Sequence, residues 1–353
     1  MAEKLGLKET KFPIGNLVSG VSSGGSLGGY LNIAPKHKSR FSAFVPIGNG
    51  CDNFCSYCVV PYARGREVYR PAEEIVSEVK SLVKRGYKEI ILIAQNVNSY
   101  ISKKQQNKKA TKQVNFPELL RMVNDIEGDF WIRFATSHPK DMSDDLIEAI
   151  ADCEKICEHI HLPAQSGDNE VLRIMKRKYT TEHYENLIKK IRNKIPEASI
   201  TTDIIVGFPG ETKKQFNKTA KLFKKVKFDM AYIARYSPRP GTAAAKLDDS
   251  VPRDEKKRRE EELTKILKKT ALENNKKYIG KTVEVLIEGK NKGGEWFGKT
   301  GMNKAVKVRS KKLSPQMRDR EARSLIGQFV RIRIKEVKDF GLEGELESQK
   351  VKK

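Results

Sequence analysis

Short apolar runs alternate with longer amphipathic stretches through the middle of the chain. The short runs are rich in β-branched and aromatic residues, which favours strands, and the longer stretches carry apolar residues at helical spacing. Six runs are predicted to be strands: 41–47, 89–94, 131–135, 159–162, 199–206 and 229–235. Strands that alternate with helices form parallel sheets, so the pattern predicts an α/β fold of six βα units.

Helix start signals stand between these runs. Pro71 suits a first helical position, and Ser143 suits an N-cap in front of an apolar stripe. Further helices are predicted to begin near Phe116, Asp168, Thr181 and Thr212. The polar run 103–113 interrupts the second unit and is predicted to be a solvated loop.

The character of the chain changes after Tyr236, where prolines break the pattern. Residues 253–277 form a highly charged helical pattern, predicted to be a connecting helix. Five short strands with glycine turns follow, at 282–287, 296–300, 305–308, 328–337 and 342–346. They predict a small all-β barrel of the OB type.

The predicted domains follow from these changes. The Gly/Ser-containing segment 1–40 is predicted to be a linker or the remnant of a larger N-terminal part. The α/β domain is predicted over 41–252, the connecting helix over 253–277 and the small barrel over 278–347.

Charge narrows the class of partner. The 353 residues contain 69 Lys and Arg against 45 Asp and Glu, a formal net charge of +24. Such an excess favours an acidic partner, and nucleic acid is the first hypothesis. No signal peptide or continuous apolar span is found, which predicts a soluble cytoplasmic protein with no membrane association.

Three of the five cysteines lie close together, at Cys51, Cys55 and Cys58. An odd cysteine number with this crowding argues against a disulfide framework and for a metal or catalytic site. Three thiolates can hold three irons of a [4Fe-4S] cluster and leave the fourth iron open, whereas structural zinc needs a fourth ligand. Spacing alone leaves zinc possible. The position after the first strand of a βα repeat favours chemistry at the barrel rim.

The C-x3-C-x-aromatic-C pattern, with Tyr57 before the last cysteine, resembles the radical S-adenosylmethionine (radical SAM) enzymes. Longer segments are similar to the tRNA methylthiotransferases of that superfamily: 50–67, 95–100, 136–139, 161–167, 205–212 and 236–242. The stretch 95–100 most resembles the synthases that act on N6-dimethylallyladenosine at position 37, next to the anticodon. The resemblance implies a partial (β/α)6 barrel followed by a basic TRAM domain.

The resemblance also implies the cofactors and the reaction. The open iron of the cluster would bind S-adenosylmethionine, and one electron from a donor such as flavodoxin or ferredoxin would cleave it to a 5′-deoxyadenosyl radical. A methylthio group would then be added to C2 of the adenosine.

Polar motifs follow each predicted strand, so parallel strands would bring them to one rim. The candidate S-adenosylmethionine ligands are Tyr57, Gln95, Asn96, Ser137, Gln165, Ser166, Gly207 and Glu211. The amides could instead be strand-end caps, and the Gly207–Glu211 stretch could be a tight turn into a helix. His138 has two possible roles: its ring packs over the barrel mouth, or it transfers a proton. His159 and His161 share a strand face, where a core or rim role is favoured over a metal pair.

The cysteine count separates this chain from its relatives. The family carries an N-terminal domain whose three cysteines hold an auxiliary cluster, but the 50 residues before Cys51 contain no cysteine. Cys153 and Cys157 favour buried thiols and cannot replace a triplet. We therefore expect that the chain lacks that domain and does not support a second cluster. A separate sulfur-donor or N-terminal-domain chain would then be required.

The predicted C-terminal barrel is the candidate RNA-binding domain, and the tRNA anticodon arm is its expected partner. Basic residues alternate with strand residues there, which places them on one side of a strand. The candidate contacts are Trp296, Phe297, Lys304, Lys307, Arg309, Lys311, Lys312, Arg331 and Arg333.

Other functions stay open at this stage. One is methylthiolation of threonylcarbamoyladenosine in tRNA or of a ribosomal-protein aspartate. A different class is an RNA-binding protein whose barrel does not insert sulfur. The first predicts a different modified product, and the second predicts tRNA binding without S-adenosylmethionine cleavage.

Overall fold

The computed structural model describes residues 37–103, 113–309 and 325–347, together with Leu31 and Pro35. The strands, in chain order, are β1 (Ser42–Pro46), β2 (Gly48–Asn49), β3 (Val68–Tyr69), β4 (Glu89–Ile93), β5 (Ile101–Lys103), β6 (Gln113–Asn115), β7 (Trp131–Phe134), β8 (His159–His161), β9 (Ser199–Val206), β10 (Met230–Arg235), β11 (Thr282–Lys290), β12 (Trp296–Thr300), β13 (Ala305–Arg309), β14 (Phe329–Lys338) and β15 (Gly341–Leu346). The α-helices are α1 (Val60–Arg64), α2 (Ala72–Lys84), α3 (Phe116–Asn124), α4 (Asp144–Asp152), α5 (Asn169–Ile174), α6 (Thr181–Lys194), α7 (Lys213–Val226) and α8 (Arg253–Lys276). Short 3-10 helices cover Pro139–Asp141 and Ala244–Lys246.

The six predicted strands of the α/β domain are confirmed as β1, β4, β7, β8, β9 and β10. They form two parallel three-stranded sheets, β1-β4-β7 and β8-β9-β10. The two sheets meet at a single parallel bridge between Ile132 of β7 and Ile156, just before β8. Spatial order therefore follows chain order, and the six strands form the predicted partial barrel, called the half-barrel below.

The helices cover one face of the half-barrel. On α2 the buried residues Ile75, Val79 and Leu82 recur at helical spacing and join the core under the strands. The opposite face is open: Phe44 on β1 is 55% exposed and Tyr232 on β10 is 61% exposed. Such exposed aromatic rings indicate a concave interior that another molecule can enter.

The predicted N-caps explain where several helices begin. Ser143 accepts a hydrogen bond from the Leu146 N–H at 3.1 Å, as expected for the start of α4. Thr212 and Gln215 form a reciprocal capping box at the start of α7. The insertion 103–113 is flanked by the antiparallel pair β5 and β6, and residues 104–112 lie outside the described residues.

The predicted connecting helix is α8, and it packs along α7 and β10. Leu263 and Leu267 are buried in the core of the half-barrel. The helix is therefore part of the packing of the α/β domain as well as a connection.

The predicted five-stranded barrel is confirmed. Its strands close in the order β11-β12-β13-β15-β14, with β13 and β15 parallel and the other pairs antiparallel. Its small core contains Val285, Ile287, Trp296, Ile332 and Ile334. On β14, Arg331 and Arg333 are exposed between buried isoleucines, as the alternation predicts.

The small barrel docks at the amino ends of the half-barrel strands through the turn 300–304, called the docking turn. Arg133 on β7 donates to the carbonyl oxygens of Thr300 and Gly301, both at 2.8 Å. The same guanidinium pairs with Glu89 on β4 at 2.7 Å, and both side chains are only 7% exposed. One arginine therefore joins two strands of the half-barrel to the small barrel.

Two further contacts support this docking. Lys304 in the docking turn pairs with Asp229 at 2.6 Å, and both side chains are buried. The rings of Trp131 and Phe329 lie 4.7 Å apart across the interface. The two domains are thus joined by packed rings as well as by ion pairs.

Among the described residues, no helix is both long enough and apolar enough to cross a membrane.

Candidate active site

The carboxyl ends of the half-barrel strands and the segments that follow them form one edge, called the rim. The cysteines follow the first strands, Gln95 and Asn96 follow β4, and Ser137 follows β7. Gln165 and Ser166 follow β8, Gly207 follows β9, and Tyr236 follows β10. Parallel pairing places these segments on the same side of the sheet, where α/β barrels carry their active sites.

The first half of the cysteine loop, residues 50–58, is fixed by backbone contacts. The Cys51 N–H donates to the Gly65 carbonyl at 3.1 Å, and the Gly50 N–H donates to Gln95 Oε1 at 2.7 Å. Gly50 has φ +83°, and a Cβ there would lie 2.1 Å from the Arg66 carbonyl oxygen. A side chain is therefore excluded at this position. Gln95, a predicted cofactor ligand, uses its carbonyl oxygen to hold the loop.

The second half of the loop is held by other rim segments. The Ser56 N–H donates to the Met175 carbonyl at 3.0 Å, and the Ser56 carbonyl accepts from Ala244 N–H at 2.7 Å. The Cys58 N–H donates to the Cys55 carbonyl at 3.0 Å, which makes a tight turn between these two cysteines. Segments after α5 and β10 therefore shape the loop that carries the thiols.

Burial raises the pKa of the Cys51 and Cys58 thiols, so both are neutral at neutral pH until a metal displaces the protons. Asn53 Nδ2 lies 3.4 Å from Cys51 Sγ, and Arg177 Nη1 lies 3.5 Å from Cys55 Sγ. Both donors would stabilise thiolates.

The donor set fits a cluster with one open iron. In the described part of the chain, no group of three or more His, Cys, Asp or Glu is arranged as a ready metal-ion site. The loop offers three sulfur donors, and the nearby carboxylates of Asp52 and Glu67 each accept a hydrogen bond from a backbone N–H. Three soft ligands suit a [4Fe-4S] cluster, whereas closed structural zinc requires four.

Of the eight buried side-chain atoms without a hydrogen-bond partner among the described residues, five lie at the rim. They are Asn49 Oδ1, Ser56 Oγ, Asn96 Oδ1, Ser137 Oγ and the Tyr236 hydroxyl. Buried polar atoms are normally hydrogen-bonded, so a cluster of orphans at one edge indicates a missing polar ligand. The amino, carboxylate and ribose groups of S-adenosylmethionine would satisfy donors and acceptors of this kind.

Two of these orphans, Asn96 and Ser137, were predicted from the sequence as cofactor ligands. Asn49 and Ser56 were missed. Their only signal is that both are polar residues next to the glycine and cysteines of the loop.

Three bulky rim residues adopt left-handed backbone conformations: Phe54 with φ 47°, Thr136 with φ 69° and Gln165 with φ 63°. Such conformations are costly for residues with a side chain and concentrate at functional sites. The rim is therefore held in its shape at an energetic cost.

The Gly207–Glu211 stretch forms the tight turn that was the alternative to ligand binding. Glu211 Oε2 accepts from the Gly207 N–H at 2.6 Å and pairs with Arg259 of α8 at 2.7 Å. Burial raises the pKa of Glu211, and these partners oppose the shift. A Cβ on Gly207 would lie 2.3 Å from Lys256 Cγ. The carboxylate of Glu211 therefore binds within the protein, to the Gly207 N–H and to Arg259.

The other predicted ligands also lie at the rim, and some of them already contact other residues of the protein. The Ser166 hydroxyl accepts from the Asp168 N–H at 3.2 Å. Burial raises the pKa of Tyr57 well above its ordinary value, so the phenol is neutral. Tyr57 packs against a small apolar cluster that includes Phe208. These side chains shape the site, and their contact with a cofactor stays a prediction.

His138 has a structural contact on each side. Its Nδ1 accepts from the Lys140 N–H at 3.2 Å, and its ring packs edge-on against Tyr179 at 5.6 Å. Burial lowers the pKa of His138 to about 2. A base this weak is a poor proton acceptor near neutral pH, which favours the packing alternative.

This environment predicts the pH dependence of stability. The His138 pKa is about 2 in the folded protein and about 6.5 when unperturbed. Below pH 6.5 His138 is protonated in the unfolded chain but not in the folded chain. The free energy of unfolding therefore falls as pH falls. Because the histidine of the unfolded chain is only partly protonated in this range, the slope from this residue averages about 0.8 kcal/mol per pH unit between pH 7.0 and 5.5. Urea unfolding at pH 7.0 and 5.5 measures it.

The matched variants for this prediction are His138→Asn and His183→Asn. Asparagine keeps an acceptor for Lys140 and removes the titration, so His138→Asn should flatten the pH dependence by the stated slope. His183 is exposed and should leave the slope unchanged. Equal slopes in wild type and His138→Asn would contradict the prediction.

His159 and His161 both lie 3.0 Å from Thr201 Oγ1. Burial lowers the pKa of His159 to about 3. With Tyr232 and Lys304 they line a cavity of about 470 Å³ between the half-barrel interior and the docking turn. His161 Nε2 also lies 3.4 Å from Asp203 Oδ2, and the role of the histidine pair stays a prediction.

Cys153 and Cys157 are both buried. Burial raises the pKa of Cys157 to about 12, so its thiol is neutral near neutral pH. The buried-thiol interpretation agrees with this placement.

Two predicted RNA contacts need correction. Trp296 is 4% exposed and belongs to the core of the small barrel, so its ring cannot stack on a base. Lys304 is buried in its pair with Asp229. The alternation along β12 is real, but Trp296 occupies the inward side.

The remaining RNA candidates differ in their surroundings. Lys307 pairs with Glu295 at 2.8 Å, and Arg309 pairs with Glu336 and Glu343. Phe297 is 37% exposed. Arg331 and Arg333 are exposed, and Lys311 and Lys312 lie outside the described residues.

Comparison with known proteins supports this arrangement. The model of the radical SAM superfamily matches residues 45–223, and that of the TRAM domain matches residues 276–346. The chain is 47% identical over 317 residues to the tRNA-2-methylthio-N(6)-dimethylallyladenosine synthase of Acetivibrio thermocellus, covering 89% of this chain and 62% of that protein. It is 43% identical over 371 residues to the synthase of the same name from Clostridium botulinum strain Langeland, covering 98% and 79%.

A solved structure of coproporphyrinogen III oxidase from Escherichia coli, described as a radical SAM enzyme, aligns with 69% of this chain and 56% of its own, at 18% identity and a TM-score of 0.49.

The chain spans about three fifths of the length of the Acetivibrio relative and about four fifths of the length of the Clostridium relative. With its cysteine loop at the rim and its closed small barrel, this protein belongs to the radical SAM superfamily, within the family of the tRNA-2-methylthio-N(6)-dimethylallyladenosine synthases, and it carries a TRAM domain.

Proposed function

We propose that this protein is a radical SAM methylthiotransferase that acts on C2 of N6-dimethylallyladenosine at position 37 of tRNA. The observation that carries the proposal is the three-thiol loop beside five buried rim atoms that have no hydrogen-bond partner. The names of the relatives supply the substrate.

In this proposal Cys51, Cys55 and Cys58 hold one [4Fe-4S] cluster. When bound, the cluster supplies the electron that cleaves S-adenosylmethionine. Asn49, Asn96 and Ser137 orient the amino-acid and ribose groups of S-adenosylmethionine, since their buried oxygens lack other partners. The half-barrel walls exclude water from the reacting atoms.

The substrate enters from the open face of the half-barrel. The exposed rings of Phe44 and Tyr232 offer contacts for a base, and the basic TRAM domain contacts the anticodon arm. An electron donor such as flavodoxin or ferredoxin reduces the cluster. Cys153 and Cys157 are buried, so in this proposal the sulfur comes from a source other than these two cysteines.

The test is anaerobic reconstitution with iron and sulfide, followed by three measurements: iron per chain, 5′-deoxyadenosine formed with a reductant, and the mass of nucleosides from tRNA that carries dimethylallyladenosine. The proposal expects about four irons, 5′-deoxyadenosine, and a methylthio mass gain when a sulfur donor is supplied. A mass gain only on threonylcarbamoyladenosine or on a ribosomal protein would replace the substrate. Absence of iron and of cleavage would leave only RNA binding.

RNA binding gives a separate prediction for β14. The double variant Arg331→Gln/Arg333→Gln removes two exposed cations from one side of the strand. If each contacts a phosphate, the slope of log affinity against log salt should become shallower by about 1.4. Fluorescence anisotropy with an anticodon stem-loop at several salt concentrations measures the slope.

The control for this prediction is Lys80→Gln/Lys84→Gln on α2, which removes the same charge from exposed positions on the outside of the half-barrel. It should lower affinity less and keep the slope. If both double variants behave alike, only the net charge contributes.

A further inference from the structure

Arg177 lies beside the cysteine loop without a carboxylate partner. Its Nη1 is 3.5 Å from Cys55 Sγ, and its Nη2 donates to the Pro163 carbonyl at 3.0 Å. Its Nε donates to the Tyr179 hydroxyl at 3.0 Å. Among the described residues no ion pair includes Arg177.

Other enclosed cations of this protein are paired differently. Arg133, Arg259, Lys256 and Lys304 each contact a carboxylate, at 2.6 to 2.7 Å. Arg177 is half-buried, and a cation that has lost part of its hydration is stabilised by a nearby negative charge. The hydrogen-bond partners of the Arg177 guanidinium are the Pro163 carbonyl, the Tyr179 hydroxyl and the Cys55 sulfur. The sulfur of Cys55 is the neighbour able to carry a negative charge.

The backbone is shaped to deliver this side chain. Lys176 adopts a left-handed conformation with φ 56°, which turns the chain between α5 and Arg177. The Arg177 N–H donates to the Leu172 carbonyl at 2.8 Å, and the Met175 carbonyl accepts from Ser56 N–H. One turn therefore holds both the cysteine loop and the guanidinium. The guanidinium is also stacked 5.0 Å from the centre of the Tyr179 ring.

We propose that Arg177 is a positioning residue that donates a charge-assisted hydrogen bond to the Cys55 thiolate and thereby raises the reduction potential of the [4Fe-4S] cluster. This inference rests on the proposed function. Three thiolates make the site anionic, and an added electron makes it more so. A fixed cation stabilises the reduced state more than the oxidised state, and hydrogen bonds to cluster sulfurs act in the same direction.

The test compares the wild type with Arg177→Gln, Arg177→Lys and Lys178→Gln. Lys178 is the exposed neighbour of Arg177 and provides a matched loss of one charge. Each protein is reconstituted without oxygen, its iron is counted, and its cluster is titrated by electron paramagnetic resonance against redox mediators, before any turnover is measured.

At the potential where half of the wild-type cluster is reduced, the ratio of reduced to oxidised cluster in Arg177→Gln should be about tenfold lower, equivalent to about 59 mV for one electron. Arg177→Lys keeps the charge and should recover at least half of this shift. Lys178→Gln should match the wild type. S-adenosylmethionine binding to the oxidised cluster should change less than threefold in Arg177→Gln.

Three outcomes would overturn the inference. An unchanged titration in Arg177→Gln would show that the cation does not act on the cluster. Weaker S-adenosylmethionine binding with an unchanged potential would make Arg177 a ligand of that cofactor. Loss of iron from both Arg177 variants, with circular dichroism unchanged, would show that Arg177 only holds the loop.

Failure of the proposed function is distinguishable from these outcomes, because it would leave the wild type itself without a cluster or without 5′-deoxyadenosine.

Discussion

The variant Cys55→Ala is expected to lose the cluster and all cleavage of S-adenosylmethionine. Cys55 is the central thiol of the loop, and its neighbours in sequence are fixed by the Met175 and Ala244 contacts to Ser56. The two remaining thiolates cannot hold three irons, so iron should fall from about four per chain to less than about one. Iron analysis and chromatography of 5′-deoxyadenosine after anaerobic reconstitution measure both effects.

The control for Cys55→Ala is Cys157→Ala, which removes one thiol from a buried site away from the loop. It should keep the wild-type iron content and the same cleavage. If Cys55→Ala retained the iron and the cleavage of the wild type, the loop would not be the cluster site and the radical SAM reading of the rim would be wrong.

The variant Arg133→Met should cause the largest loss of stability. It leaves Glu89 buried without its cation and removes the donors to the Thr300 and Gly301 carbonyls. Breaking one partner of a buried pair costs about 3–5 kcal/mol, because the other charge stays in a low-dielectric site. Equilibrium urea unfolding followed by circular dichroism measures the change in free energy of unfolding.

Two comparisons make the Arg133 result specific. Arg309→Met removes a 41% exposed arginine from its pairs with Glu336 and Glu343 in the small barrel, where Lys338 still pairs with Glu343, and should cost about 1 kcal/mol or less. The double variant Arg133→Met/Glu89→Met removes both charges and should recover much of the loss. A cost for Arg133→Met no larger than for Arg309→Met would show that the docking turn does not depend on this arginine.

The strands of the half-barrel and of the small barrel were predictable from signals local in sequence, whereas the short strands β2, β3, β5 and β6 were not predicted. β9 and β12 were predicted with the bounds they have, since apolar and β-branched runs end at polar or glycine residues there. The rim was predictable for the same reason, because parallel strands send the residues that follow them to one edge. The placement of the three cysteines at this edge followed from their position after the first strand, and their role as cluster ligands stays a prediction.

Contacts between distant segments were not predictable in this way. Trp296 and Lys304 looked like surface residues because a strand has two faces, and alternation does not say which face is inside a small barrel. Arg177 carries no sequence signal, since its function depends on a turn after α5 that meets the cysteine loop more than a hundred residues away in sequence. Arg133 likewise gains its partners only when the second domain docks.

The positions of the two tryptophans have a practical consequence for spectroscopy. The chain contains two tryptophans; Trp296 lies inside the small barrel, and Trp131 stacks on Phe329 at the domain interface. Tryptophan fluorescence therefore reports on the small barrel and on its docking to the half-barrel. Neither tryptophan lies at the rim. A change in emission on adding RNA would register at this end of the molecule, so events at the cysteines need the absorption of the iron-sulfur chromophore instead.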